Sequence, residues 1–124
     1  MTDVCTPAPR PSLTVDAAER AARVLKAVAD PVRLRMLATV ASSPTGEVCV
    51  CDLTDLADLT QPTVSHHLKV LRTAGVLTCE RRGTWVHYRV TEHARPFVDG
   101  VLDGVVPAAL TLMTATPEPE PARS

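Results

Sequence analysis

The spacing of apolar residues divides the chain into helical and strand-like stretches. Over residues 14–29 apolar side chains recur at steps of three and four, which predicts an amphipathic helix. A second helix is predicted over residues 31–41, because Pro31 suits a first helical turn, where its missing N–H is not needed. After a loop, a third and shorter helix is predicted from about residue 51 to residue 58.

A fourth helix is predicted from Gln61 to the glycine signal at Ala74-Gly75. Val64, Leu68 and Leu71 lie at positions i, i+4 and i+7, so they should face the core. The opposite face of this helix is polar. This arrangement is typical of the recognition helix of a helix-turn-helix, with the third helix as its supporting partner.

The pattern then changes to a period of two. Residues 76–81 and 85–90 are predicted to be two strands joined at residues 82–84, which gives a hairpin with a basic tip. Such a hairpin after a recognition helix is a wing. Helical spacing resumes over residues 92–115, where Pro107 should kink or interrupt the helix. The fold class is therefore mainly α with a β-hairpin, a winged helix-turn-helix with extra helices at both ends.

The 124 residues fit one domain. We expect a flexible N-terminal arm over residues 1–13, where three prolines stand, a folded domain over 14–115 and a disordered tail over 116–124. No run of 18 apolar residues and no cleavable leader is seen, so we expect a cytoplasmic protein that does not enter a membrane. The four cysteines are then expected to be thiols rather than a disulfide framework.

Charge is distributed unevenly, although the net charge is only −1. Basic residues outnumber acidic ones between the fourth helix and residue 95, which favours contact with DNA phosphates. Polar side chains near the start of the fourth helix are candidates for hydrogen bonds to base edges or phosphates, and two cations on the same helix are candidates for contacts with phosphates. Two arginines at the wing are candidates for contacts with the DNA backbone or the minor groove. These candidates are Gln61, Thr63, Ser65 and His66, then Lys69 and Arg72, then Arg81 and Arg82. No catalytic constellation is visible, so an enzyme is not expected.

Cys49 and Cys51 stand one residue apart immediately before the helix-turn-helix. Thiolates are soft ligands that favour As(III), Sb(III), Cd(II) and Pb(II). The alternative is that the two cysteines act as small hydrophobic residues in the core. Spacing alone does not decide between these interpretations.

Several motifs together resemble the ArsR/SmtB family of metal-sensing repressors. They are found in residues 26–34, 47–53, 61–71 and 81–88. The resemblance implies a homodimer joined through the first and last helices, binding to a near-palindromic operator, and release from DNA when an ion binds.

The arsenic-responsive branch of that family is similar in the stretch Cys49-Val50-Cys51-Asp52-Leu53. Its best-known pattern has a third cysteine three residues after the second, where this chain has Thr54. Related sensors complete the thiolate cluster from the N-terminal arm, which implies Cys5 as the third ligand.

The expected function is therefore a dimeric operator-binding repressor released when Cys49, Cys51 and Cys5 coordinate As(III) or Sb(III), with no cofactor in the DNA-bound form. Three alternatives stay open. The chain is a cadmium- or lead-responsive repressor of the same family, a repressor with a thiol redox switch at Cys49 and Cys51, or an intracellular metal buffer that does not bind an operator.

Overall fold

The computed structural model describes residues 12–57 and 59–114. Within them the secondary structure is six α-helices, three strands, one 3₁₀ turn and one π-helical segment. The helices are α1 Val15–Val28, α2 Pro31–Ala41, α3 Val50–Ala57, α4 Gln61–Thr73, α5 Arg95–Gly100 and α6 Val106–Thr114. The strands are β1 Val48–Cys49, β2 Leu77–Arg82 and β3 Trp85–Val90; Glu92–Ala94 is the 3₁₀ turn and Val101–Val105 the π-helical segment.

Helix starts follow from local capping chemistry. The Thr14 side chain accepts a hydrogen bond from the backbone N–H of Ala17 at 3.0 Å and caps α1. At α2 the Asp30 carboxylate accepts from the backbone N–H groups of Val32 and Arg33, at 2.9 and 3.1 Å. These caps explain why the predicted and observed starts of the first two helices agree within one residue.

The predicted wing is confirmed, but it belongs to a larger sheet. The strand order is β1-β3-β2, and both pairings are antiparallel. Strand β1, which the sequence did not predict, places Val48 opposite Tyr88 and Cys49 opposite His87. The turn between β2 and β3 contains Gly83 with a φ of 65°, a left-handed backbone conformation that residues with a side chain rarely adopt. Because β1 pairs with β3, the segment before α3 is attached to the wing.

The core lies between α2, α3, α4, α5 and the inner face of the sheet. Val64, Leu68 and Leu71 are almost completely buried, as their spacing on α4 predicted. They pack with a set of aliphatic side chains from the neighbouring elements: Met36, Leu37, Val40, Leu53, Val76 and Val98. The packing orients α4 so that its polar face points outward.

The C-terminal helical run is interrupted close to Pro107, where a kink or an interruption was predicted. A π-helical segment separates α5 from α6 immediately before Pro107. Proline lacks an N–H and its ring crowds the carbonyl four residues earlier, so a widened turn at this point relieves the clash. Val101 of the predicted apolar stripe is buried, whereas Val105 and Leu112 are 58% and 77% exposed.

Large apolar side chains are exposed on both terminal helices. On α1 these include Val15 and Leu25, and on α6 they are Leu110, Leu112 and Met113. By length and composition alone, the helical run from residue 92 to residue 114 would also suffice to cross a membrane, and few of its residues are buried. The expected arm and tail, including Cys5, lie outside the described residues apart from positions 12 and 13.

Candidate thiol site and DNA-binding surface

The thiols of Cys49 and Cys51 lie together at the junction between β1 and α3. Cys49 ends the strand and Cys51 stands in the first turn of the helix, and both side chains are half-buried. The Cys51 thiol donates to the Cys49 sulfur across a distance of 2.7 Å, and the backbone N–H of Cys51 points to the same sulfur at 3.4 Å. The change from strand to helix between the two residues brings the sulfurs onto one side, where both are able to face a single ion.

The environment of the pair favours the protonated thiol of Cys51. Its hydrogen bond to Cys49 raises the pKa of the Cys51 thiol, and burial and the charge of Asp52 raise it further. The Cys51 thiol is therefore not an activated nucleophile, which would need a lowered pKa. An incoming ion would have to displace the proton.

A group of charges ties the residue before β1 to the tip of the wing. The Arg82 guanidinium donates two hydrogen bonds to the Glu47 carboxylate, one of them at 2.8 Å, and one to Glu80 at 3.0 Å. These bonds hold the pKa of Glu47 below its usual range, with help from the charges of His87 and Arg89 and against the opposing effect of burial. Arg82, predicted to contact DNA, is thus paired with two carboxylates.

His87 lies opposite Cys49 on the neighbouring strand. Its Nδ1 atom is buried and has no hydrogen-bond partner in the described structure. Within residues 12–57 and 59–114 there is nevertheless no group of three His, Cys, Asp or Glu side chains that could hold a metal ion. Of the three predicted ligands, Cys49 and Cys51 lie within the described residues and Cys5 does not.

The predicted DNA-contacting residues lie on one exposed surface and on the wing. All six candidates on α4 are exposed, and so are Arg81 and Arg82 on the wing. Thr63 shares a hydrogen bond with Thr60, hydroxyl to hydroxyl at 3.0 Å. Arg72, at the end of α4, approaches the buried Tyr88 hydroxyl and opposes the rise in the pKa of Tyr88 that burial and Cys79 cause. The other α4 candidates face outward without such a tie to the sheet.

His67, in contrast to His66, belongs to a structural network. Its Nδ1 atom lies 3.0 Å from the Arg33 guanidinium and 3.9 Å from the Asp30 carboxylate. Burial raises the pKa of Asp30, but hydrogen bonds from the backbone of Arg33 and Val32 and the charges of Arg33 and His67 outweigh it, so the pKa is lowered. The contact between Arg33 and His67 is not visible in the sequence, because nothing local connects α2 with α4.

Comparison with known proteins places this geometry in a family. The family model described as "Bacterial regulatory protein, arsR family" matches residues 30–78, which include α2, β1, α3 and α4. The arsenic resistance transcriptional regulator ArsR1 of Pseudomonas putida is 46% identical over 68% of this chain, and the match spans 65% of that protein's length. The arsenical resistance operon repressor of Escherichia coli is 38% identical over 65% of this chain and 68% of its own.

A solved structure agrees with the sequence relatives. The homodimeric winged helix-turn-helix DNA-binding domain Mb0332 from Mycobacterium bovis matches with a TM-score of 0.64 and 27% identity, over 77% of this chain and 86% of that one. The predicted winged helix-turn-helix is thereby confirmed, and the relatives are transcription regulators rather than enzymes. The chain belongs to the ArsR family of bacterial regulatory proteins.

Proposed function

We propose that this protein is a cytoplasmic transcriptional repressor that binds operator DNA as a homodimer and is released when its thiols coordinate As(III) or Sb(III). The observation that supports the inducer is the pair of sulfurs 2.7 Å apart at the head of α3. Two thiols so close bind one soft ion without a large rearrangement of the backbone. Relatives named for arsenic resistance support the same class of inducer.

Trivalent arsenic suits the number of sulfurs that this chain can offer. It forms three bonds to sulfur and keeps a lone pair in the remaining direction. Arsenous acid, As(OH)₃, exchanges each hydroxyl for a thiolate sulfur and releases one water per thiol, so three thiols give As(SR)₃ and three waters. Cys49 and Cys51 supply two of these sulfurs, and we assign the third to Cys5, from the same subunit or from its partner.

Release of DNA follows from the position of the thiols. The junction between β1 and α3 contacts the wing through the β1–β3 pairing and the Glu47–Arg82 hydrogen bonds, and α3 packs against α4. An ion that fixes both sulfurs constrains this junction, and the constraint is passed to the two elements that contact DNA. A coupling of about 1–3 kcal/mol would weaken DNA binding by about 5- to 150-fold.

The homodimer accounts for the exposed apolar side chains of the terminal helices. Val15 and Leu25 on α1 and Leu112 and Met113 on α6 are at least half exposed. A single protomer gains nothing from them, whereas a dimer interface would bury them. The same interface explains the apolar run over residues 92–114 without a membrane. Two-fold symmetry would place the two α4 helices about 34 Å apart, one turn of DNA.

The test is fluorescence anisotropy of the reduced protein on labelled DNA from its own promoter. Addition of arsenite or antimonite is expected to lower the anisotropy, and cadmium and lead are titrated in parallel. Release by cadmium or lead but not by arsenite would show that the inducer is one of those two ions, and the assignment as a repressor would stand. DNA binding that is unchanged by all four ions would refute the sensing site. Absence of binding to promoter DNA would favour the alternative function as a metal buffer.

The contact between the two sulfurs also favours a second candidate, the redox switch. Hydrogen peroxide would oxidise the Cys49 and Cys51 thiols to a disulfide and be reduced to two waters. Release of DNA by peroxide without any ion, reversed by a dithiol reductant, would select this candidate. The pKa of Cys51 argues against it, because a protonated thiol reacts slowly with peroxide.

A further inference from the structure

A cationic groove lies between α1, the start of α2 and α4. Its volume is about 750 Å³, and its lining includes His66 and five cationic side chains, Arg20, Arg23, Lys26, Arg33 and Lys69. No acidic side chain lines it. The chain has 13 lysines and arginines, and two of them, Arg10 and Arg123, lie outside the described residues. Five of the remaining eleven therefore line this one groove, in a protein with a net charge of −1.

One of these cations is fixed in place by the backbone. The Arg33 side chain donates to the carbonyl oxygens of Ala27 and Lys26 at the end of α1, and its third contact is His67 at 3.0 Å. The guanidinium thus occupies the position where carbonyls at a helix end favour a positive charge. Its orientation is set before any ligand arrives, so binding costs little side-chain entropy.

The other cations are exposed and mostly unpaired. Arg20 forms an ion pair with Asp16 at 3.0 Å, but both groups are largely exposed and the pair is screened by solvent. For Arg23, Lys26 and Lys69 no ion pair or hydrogen bond of the side chain is found within the described residues. Four like charges around one concave surface repel one another unless an anion is present.

The groove opens on the side of α4 that we propose contacts DNA. His66 and Lys69 line it and also belong to the exposed polar face of that helix. At 100° per residue, Arg20 lies about 140° around α1 from both of the exposed residues Val15 and Leu25. Dimerisation through the apolar side would leave the Arg20 side of the groove open.

We propose that this groove is a second phosphate-binding site, which holds a backbone phosphate of the operator beside the segment contacted by α4. The inference rests on the proposed function and extends the DNA-binding surface to α1 and α2. Arginine and lysine side chains suit phosphate oxygens, and such contacts position the protein on the duplex without reading its sequence. The groove thereby adds affinity for any DNA and fixes the angle at which α4 enters the major groove.

The test compares two double variants that lose the same charge. R23Q/K26Q removes two exposed cations of the groove, and R89Q/R95Q removes two cations that line a separate cavity at the base of the wing. Operator affinity is measured by anisotropy over a range of salt concentrations, and thermal unfolding verifies that both variants fold. For R23Q/K26Q, the slope of log K against log[salt] should become shallower by about 1 to 2, because each phosphate contact contributes about 0.9.

Affinity of R23Q/K26Q should fall by the same factor for operator and for unrelated DNA, while arsenite still releases the operator by the wild-type factor. A salt slope for R23Q/K26Q equal to that of the wild type would overturn the phosphate site, and the proposed repressor function would stand. Inorganic phosphate, titrated at constant ionic strength, separates a DNA phosphate from a free anion. Displacement of wild-type protein from DNA by micromolar phosphate, lost in R23Q/K26Q, would also overturn the proposal, because the groove would then be a small-anion site.

Discussion

The DNA-contacting surface and the thiol segment are built in different ways. The candidate contacts on α4 are exposed side chains of one regular helix, held outward by the burial of Val64, Leu68 and Leu71. Cys49 and Cys51 are half-buried where a two-residue strand becomes a helix. One region is thus open and rigid, and the other is a short junction tied to both the wing and the helix-turn-helix.

This difference suits two separate tasks. A rigid exposed helix presents the same groups to DNA whether or not an ion is bound, so loss of DNA binding must come from a change in where the helices stand. A junction between two elements is where a small change in backbone geometry moves both of them. The following experiments alter one region at a time and measure both DNA affinity and its response to the ion.

The largest effect is expected at the thiols. Cys49→Ser and Cys51→Ser each remove a soft ligand but keep a small polar side chain, so release by arsenite, about 5- to 150-fold in the wild type, should disappear. Affinity for DNA without arsenite should stay at the wild-type value. Anisotropy titrations of each variant measure both quantities.

Cys79→Ser is the matched control. Cys79 is a half-buried thiol on β2, packed against the core opposite Tyr88, and strand β3 separates it from Cys49 on β1. The Cys79→Ser variant should respond to arsenite as the wild type does. Equal loss of response in Cys79→Ser would show that the site has been placed on the wrong sulfurs. Cys5→Ser should weaken the response without removing it, since the contacting pair of Cys49 and Cys51 remains at the head of α3.

The second effect is on pH dependence, and it separates the inducers. Cadmium must displace the proton of each thiol, and the pKa of Cys51 lies above its usual range. Binding of cadmium should therefore weaken by about tenfold per pH unit for every proton displaced as the pH falls. Arsenite binding should change far less, because the thiol protons leave with the hydroxyl groups as water. Equilibrium binding of both ions at several pH values measures the contrast, and a steep pH dependence for arsenite would contradict the exchange reaction.

A smaller effect is expected when only the DNA surface is altered. His66→Ala removes an exposed side chain near the start of α4 and should cost about 1 kcal/mol, or about fivefold, in operator affinity. The factor by which arsenite weakens the remaining affinity should stay unchanged. Loss of both quantities together would mean that the two regions are not separate. His67→Ala is no substitute, because His67 contacts Arg33 and Asp30 inside the fold.

The smallest effect is expected at the tie between the regions. Glu47→Gln removes the carboxylate that accepts from Arg82 and should reduce, without abolishing, the response to arsenite, because the β1–β3 pairing remains. Glu80→Gln is matched to it, since Glu80 also pairs with Arg82 but lies within the wing. It should leave the response as it is. A response of Glu47→Gln equal to that of Glu80→Gln would exclude the ion pair as a coupling element.

The helices and the hairpin were predictable because their signals are local. Pro31, the spacing of Val64, Leu68 and Leu71, and the period of two around Gly83 each act within a few residues. Strand β1 was not predictable, because two residues become a strand only by pairing with β3, about forty residues later. Because β1 was not predicted, the ion pair between Glu47 and Arg82 was not predicted either.

The candidate site divides in the same way. The two thiols and the polar face of α4 are visible in the sequence, because each lies within one short segment. The cationic groove is not visible, because Arg23 and Lys26 resemble any solvated helix surface until α1 is placed beside α4. The periodic apolar pattern of the C-terminal helices shows only that one face is apolar, because such a pattern does not distinguish the core from a dimer interface.

The proposed function requires that the thiol pair and the DNA-contacting surface are coupled, and reciprocal binding measures that coupling. If arsenite weakens the affinity for operator DNA by some factor, DNA must weaken the affinity for arsenite by the same factor. The measurement is arsenite binding to the reduced protein, free and saturated with operator, alongside the DNA titrations. We expect the two factors to agree and both to vanish in Cys49→Ser. An arsenite affinity that is the same with and without DNA would contradict the account.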